Sequence, residues 1–195
     1  IIALVGYTNA GKSTLFNVLT GANEFSEDML FATLDPKMRA IKLNNKLKII
    51  ISDTVGFISD LPTELIAAFR ATLEEVLAAD LILHVRDISH ENTEFQALEV
   101  EKVLKSLGVA ESIPVLEIWN KIDIIEAEKK ESLINIAKRR SGVCYLSALT
   151  GDGVPTLLEK IEDQILPQKI SETLLVPFEL GNKKAWLHEY GVVVN

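Results

Sequence analysis

A mostly parallel α/β sheet, doubly wound with helices on both faces and carrying one antiparallel edge strand, is the fold class that these 195 residues predict. Three observations carry it. An unbroken apolar run at residues 1–5 and short, mostly apolar runs at 47–52, 81–85, 113–119 and 143–146 have lengths suited to buried strands. Stretches with apolar residues at helical spacing separate most of them. The first run leads directly into residues 6–14, Gly-Tyr-Thr-Asn-Ala-Gly-Lys-Ser-Thr, which match the phosphate-binding loop pattern GxxxxGK[ST].

That loop organises the reading. Gly6 and Gly11 permit the dihedrals that turn successive amide N–H groups inward, making a nest for phosphate oxygens at the start of a helix. Lys12 then reaches the outer phosphates, and Ser13 holds magnesium. A chain of average composition would show the pattern by accident roughly once in a hundred. The order strand, loop, helix lowers that further. Leu15, Val18 and Leu19 give the helix an apolar face, and Gly21 is its expected C-terminal cap.

Composition bounds the rest. A chain that is 48% hydrophobic supplies an ample core for one domain and a small appendage. No apolar run approaches the roughly 18 residues of a membrane span and no basic-then-apolar leader precedes the first strand, so the expected location is cytoplasmic. A formal net charge of −8 argues against a broad basic face for nucleic acid. The tight basic cluster Lys138, Arg139 and Arg140 falls where a helix should end and complements its dipole. The single cysteine, Cys144, lies in a short apolar strand and reads as core.

After the first helix, residues 23–36 are polar and mixed and read as a loop. Residues 38–43 alternate, Asn44-Asn45 suits a hairpin turn, and 47–52 form the strand that ends at Asp53. Asp53-Thr54-Val55-Gly56 thus sits at a strand's carboxyl end, where ligands bind in open α/β sheets. Asp53 is the magnesium-directed carboxylate, and the Gly56 N–H is available to a terminal phosphate. Pro62 opens a helix running to about residue 79, with Leu65, Ile66, Phe69, Leu73, Val76 and Leu77 on one face. His84, inside the next strand, reads as a packed core histidine. A helix over 91–107 is closed by Gly108.

The strand 113–119 runs into Asn120-Lys121-Ile122-Asp123, and this tetrapeptide selects the base. The Asp123 carboxylate can accept two hydrogen bonds from guanine N1–H and the exocyclic amine, a pair that adenine does not present. Asn120 ties this loop to the phosphate loop, and the stem of Lys121 covers one face of the base. A helix over 126–139 and the strand 143–146 follow. Ser147-Ala148 stands at that strand's carboxyl end with backbone amides for the guanine oxygen. Residues 154–165, with Pro155 in the first turn, make a closing helix.

Taken in order, GxxxxGKS, DxxG, NKxD and SA resemble the signature of the translation-factor-related GTPases over about residues 1–166. Gly-Tyr-Thr-Asn-Ala-Gly-Lys-Ser-Thr-Leu-Phe-Asn, Phe-Ala-Thr-Leu-Asp-Pro and Asp-Thr-Val-Gly-Phe-Ile-Ser-Asp-Leu-Pro narrow the resemblance to the HflX family of ribosome-associated GTPases. The resemblance implies a GTP-binding domain at 1–166 and a partial small carboxyl-terminal domain at 167–195. It implies GTP and GDP as ligands, magnesium as cofactor and the large ribosomal subunit as partner of the longer protein, with a monomer as the expected state. Thr33 resembles the switch threonine that completes the magnesium shell. Asn9 resembles the phosphate-loop asparagine that helps related GTPases hold a potassium ion. The nucleotide set is then Gly6, Asn9, Ala10, Gly11, Lys12, Ser13, Thr14, Thr33, Asp53, Gly56, Asn120, Lys121, Asp123, Ser147 and Ala148, with Ser13, Thr33 and Asp53 serving the metal.

One position departs from the Ras-type pattern. Phe57 follows the DxxG motif where a water-orienting glutamine would stand, and its side chain cannot hydrogen-bond a nucleophilic water. Slow intrinsic hydrolysis, stimulated by a partner or by potassium, is expected; Phe57 itself reads as a core residue retracted from the site. A GTPase of ribosome assembly or tRNA modification, a nucleotide-dependent binding module that hardly hydrolyses, and, more weakly, an ATP-specific P-loop protein remain open.

Overall fold

Strand β1 (Ile2–Val5) forms the centre because its four side chains are all apolar and alternate between two buried faces. In the computed structural model, which describes residues 1–21, 37–43, 47–54, 56 and 75–166, it joins a six-stranded sheet in the order β2-β3-β1-β4-β5-β6. The other strands are β2 (Lys37–Lys42), β3 (Lys48–Asp53), β4 (Leu81–Asp87), β5 (Val115–Asn120) and β6 (Val143–Tyr145). β2 pairs antiparallel with β3; every other pairing is parallel. The expected class and its antiparallel edge strand are therefore present.

Helices α1 (Lys12–Thr20), α2 (Thr93–Ser106), α3 (Ala127–Lys138) and α4 (Val154–Ile165) cover both faces. On one face Ile2, Leu4, Ile51, Leu83 and Ile118 pack with Leu15 and Phe16 of α1 and Leu157 and Ile161 of α4. On the other, Ala3, Val5 and Ile82 meet Val76 and, from α2, Val100 and Leu104. Trp119, Val143 and Ala137 make a third cluster beneath α3. Each large aliphatic side chain removed from water here contributes about 1.5–3 kcal/mol.

Two sequence expectations need adjusting. The buried stripe of α1 runs through Leu15 and Phe16, whereas Val18 is 40% exposed. β4 continues past Val85 through Arg86 to Asp87, because the Arg86 guanidinium is neutralised on both sides by Glu117 and Glu94 (2.6 Å to the latter). Trp119 Nε1 donates to the same Glu117 carboxylate at 2.7 Å, and Arg140 reaches it at 3.1 Å while lying 5.8 Å from the Trp119 ring centroid. Gly21 caps α1 in the left-handed region and donates to Asn17 O. His84 is buried, and burial first, then the nearby Arg86 charge, lowers its pKa to about 4, so it is a neutral core residue. Burial likewise pushes the Cys144 thiol up to about 11.

At β6, the last strand of the sheet among the described residues, Lys160 Nζ donates to Val143 O at 2.7 Å and Ser141 O at 3.2 Å. A lysine bound to the carbonyls of an edge strand occupies acceptors that another strand would need. Ile1–Ile165 forms one compact unit and Leu166–Asn195 a second. The expected carboxyl-terminal domain, the turn at Asn44-Asn45, Thr33, Phe57 and most of the helix expected over 62–79 lie outside the described residues; of that helix, residues 75–77 are described and helical. Among the described residues no helix is long and apolar enough to cross a membrane.

Candidate functional site

The carboxyl ends of β1, β3, β5 and β6 gather the four motifs at one rim of the sheet, as parallel register requires: Leu4 pairs with Asp53 and Trp119 with Tyr145. The loop after β1 begins at Gly6, φ +155°, where a Cβ would come within 2.2 Å of Val85 O on the neighbouring strand. Only glycine lets the chain leave the strand so close to β4. Asn9 (φ 60°) and Gly11 (φ 94°) are both in the left-handed region, and Gly11 caps α1, with Leu15 N donating to Gly11 O at 2.9 Å. Amides of this turn and of the first helical turn form a nest suited to an anion.

Lys12 is 6% exposed, and its Nζ donates to Tyr7 O at 3.0 Å, bent back across its own loop. Burial lowers its pKa to about 8, partly offset by the Asp53 carboxylate. Ser13 Oγ donates to Asp53 Oδ2 at 2.8 Å. Asp53, the last residue of β3, is fully buried. Next to it, Thr54 Oγ1 donates to Leu4 O at 2.6 Å and pins the DxxG turn to the end of β1. A Cβ on Gly56 would lie 2.9 Å from Thr8 Cγ2 and 3.0 Å from Lys12 Nζ. The DxxG glycine is therefore packed onto the phosphate loop. A hydroxyl and a carboxylate 2.8 Å apart are hard oxygen donors, the chemistry that suits magnesium.

Asn120 joins three loops. Its Nδ2 donates to Ala10 O at 2.9 Å and its Oδ1 accepts from Ala148 N at 2.9 Å, all three residues being buried. A Cβ at Gly11 would fall 2.2 Å from that same Nδ2. The expected link between NKxD and the phosphate loop is present. The SA loop is drawn into the same contact, so a guanine oxygen would have to compete with Asn120 for the Ala148 amide. Ser147 Oγ accepts from Thr150 N at 3.1 Å, and Ser147 N donates to Asp152 O at 2.9 Å, closing a tight turn. Asp123 stands exposed in a short 3-10 turn, its carboxylate open to a ligand.

Sequence reasoning passed over Asp87. It ends β4 opposite Asn120, and its carboxylate takes Lys121 Nζ at 2.7 Å and both Ser89 N (3.0 Å) and Ser89 Oγ. Burial alone would raise its pKa, but hydrogen bonds from Lys121 and Ser89 and the Lys121 charge hold it below the usual carboxylate range. An acid at a strand's carboxyl end, as at Asp53, was the available signal.

A strand, an anion nest, a buried lysine and a guanine-type loop clasped to that nest define the class as a P-loop GTPase. The family model described as "50S ribosome-binding GTPase" matches residues 1–121. Over 194 residues the chain is 43% identical to GTPase HflX of Caldanaerobacter subterraneus subsp. tengcongensis, covering all of this chain and 43% of that protein. It is 38% identical to GTPase HflX of Escherichia coli over 203 residues, 98% of this chain and 47% of the other. Among solved structures, a GTP-binding protein from Sulfolobus solfataricus in complex with GDP superposes with a TM-score of 0.66 at 33% identity, covering 84% of this chain and 51% of that one. The chain belongs to the 50S ribosome-binding GTPase family and, within it, to the HflX GTPases. It spans less than half the length of these two curated relatives.

Proposed function

We propose that this chain binds GTP and hydrolyses it to GDP and phosphate as a conformational switch, and that the longer protein acts with it on the large ribosomal subunit. The observation that carries the reading is the Asn120 clasp, which joins the phosphate loop to a loop bearing an exposed acid. In this reading Gly6, Asn9, Ala10, Gly11, Lys12 and Thr14 embrace the phosphates. Asn120, Lys121, Asp123, Ser147 and Ala148 embrace guanine, with Asp123 accepting from N1–H and the exocyclic amine. Ser13 and Asp53 hold magnesium together with Thr33, and the ion supplies charge neutralisation at the β- and γ-phosphates. Asn9, exposed and left-handed, offers an amide oxygen for potassium. Gly56, packed onto the phosphate loop, senses the terminal phosphate.

No side chain among the described residues is assigned as catalytic base. Phe57 cannot orient a water, so intrinsic turnover is slow and a partner or potassium accelerates it. The same machinery serves the alternatives of a ribosome-assembly or tRNA-modification GTPase. Asp123→Asn tests the base assignment: GTP affinity should fall at least a hundredfold and xanthosine triphosphate should be hydrolysed in its place, since an amide matches the altered base. Unchanged GTP affinity would sink the guanine reading. Absence of multiple turnovers by the unaltered protein would leave a binding module.

A further inference from the structure

Lys121 adopts φ 67°, a left-handed conformation that is unfavourable for a residue with a Cβ. It therefore persists because its surroundings fix it. One constraint is backbone: β5 ends at Asn120, whose carbonyl accepts from Ile88 N at 3.2 Å. The other is ionic. Lys121 Nζ lies 2.7 Å from Asp87 Oδ2, with the two side chains 32% and 14% exposed. Asp87 is itself immobilised by the amide and hydroxyl of Ser89. With both ends of the lysine anchored, its four-carbon stem is drawn taut along the rim between NKxD and the end of β4.

We propose that Asp87 is a positioning residue of the guanine site: by holding the Lys121 ammonium it stretches the lysine stem into the flat apolar floor on which the base rests. This rests on the GTP-binding reading above. A free lysine would sample many rotamers, and binding would have to order it at a cost in side-chain entropy. The Asp87 pair meets that cost before nucleotide arrives. Asp87 touches neither phosphate nor base edge in this reading, so it governs how long a guanine nucleotide stays and leaves discrimination between bases to Asp123.

The test is the dissociation rate of a fluorescent GDP from the full chain, with competition by inosine diphosphate. Asp87→Ala should speed release about tenfold, leave the preference for GDP over inosine diphosphate unchanged, and have no further effect in a Lys121→Met background, where the stem remains but the charge is gone. Asp87→Asn keeps the shape and an acceptor for Ser89 and should give most of the same acceleration, which covers the case that Asp87→Ala does not fold. Release changed less than twofold by both Asp87 variants would overturn the proposal. So would an effect of the same size in the Lys121→Met background, because Asp87 would then act through the Ser89 turn. Lys12→Ala is the control: if it retains tight GDP binding, the phosphate-loop reading itself has failed, independently of Asp87.

Discussion

Lys12 is buried with its pKa lowered to about 8, and this makes nucleotide binding a proton-linked event. Burial disfavours the ammonium; phosphates restore it. Below pH 8 the free protein already carries the charge, whereas above it binding must take up a proton, and affinity falls by up to tenfold per pH unit. Between pH 7 and pH 9 the affinity for GDP should drop about tenfold, with proton uptake visible as a dependence of binding heat on the buffer. A flat profile would mean that the lysine stays charged in the empty loop. Stability has the opposite trend. Between about pH 8 and the ordinary lysine value the unfolded chain binds more protons than the folded one, so the nucleotide-free fold gains stability from this group as pH rises. Asp87 and Lys121 belong to the same scale, an ion pair of which the NKxD motif displays only the lysine.

Among the elements, β1 and the loop after it carry the strictest demand. Gly6 combines a positive φ with a 2.2 Å approach to a β4 carbonyl, so Gly6→Ala must separate two central strands. Urea denaturation should register a loss of more than about 2 kcal/mol. Gly108→Ala, at φ +80° but with nothing within 4 Å, should cost only about 1 kcal/mol. Equal losses would refute the packing argument. Most elements were legible in the sequence because the strands are mostly apolar runs and the helices have apolar residues at helical spacing: the strand expected over 47–52 is β3 shifted by one residue, and the helix over 154–165 is α4 unchanged. The failures have physical causes. In the nine-residue α1, the sets Leu15, Val18, Leu19 and Leu15, Phe16, Leu19 have similar helical spacing, and packing against β1, β2 and β3 chose the latter. The continuation of β4 through Arg86 was invisible because a charge belongs in a core only when partners distant in sequence neutralise it. The motif residues Gly11, Asp53 and Asn120 were legible from spacing; the burial of Lys12 and the engagement of the Ala148 amide were not, since both depend on which loops the sheet brings together.

For the molecule as a whole, a net charge of −8 leaves little attraction for rRNA phosphates in this segment. Recognition of a ribosomal subunit, as proposed, would then fall largely to surfaces beyond these residues, consistent with a chain that spans under half of its HflX relatives. The longer protein should hydrolyse GTP at least tenfold faster with purified large subunits in potassium buffer, whereas the present chain should respond weakly or not at all. A longer protein whose turnover ignores the subunits would favour the assembly or tRNA-modification alternatives.

The contact of Gly11 with Asn120 has one more outcome. The amide nitrogen of Asn120 occupies the space that a side chain at position 11 would need. Two positions far apart in the chain thus share a single volume, and neither is free to vary alone. In a library randomised at both, survivors should be correlated: any side chain larger than hydrogen at position 11 would be recovered only beside a truncated residue at 120, and such pairs would have forfeited the clasp that holds three loops together.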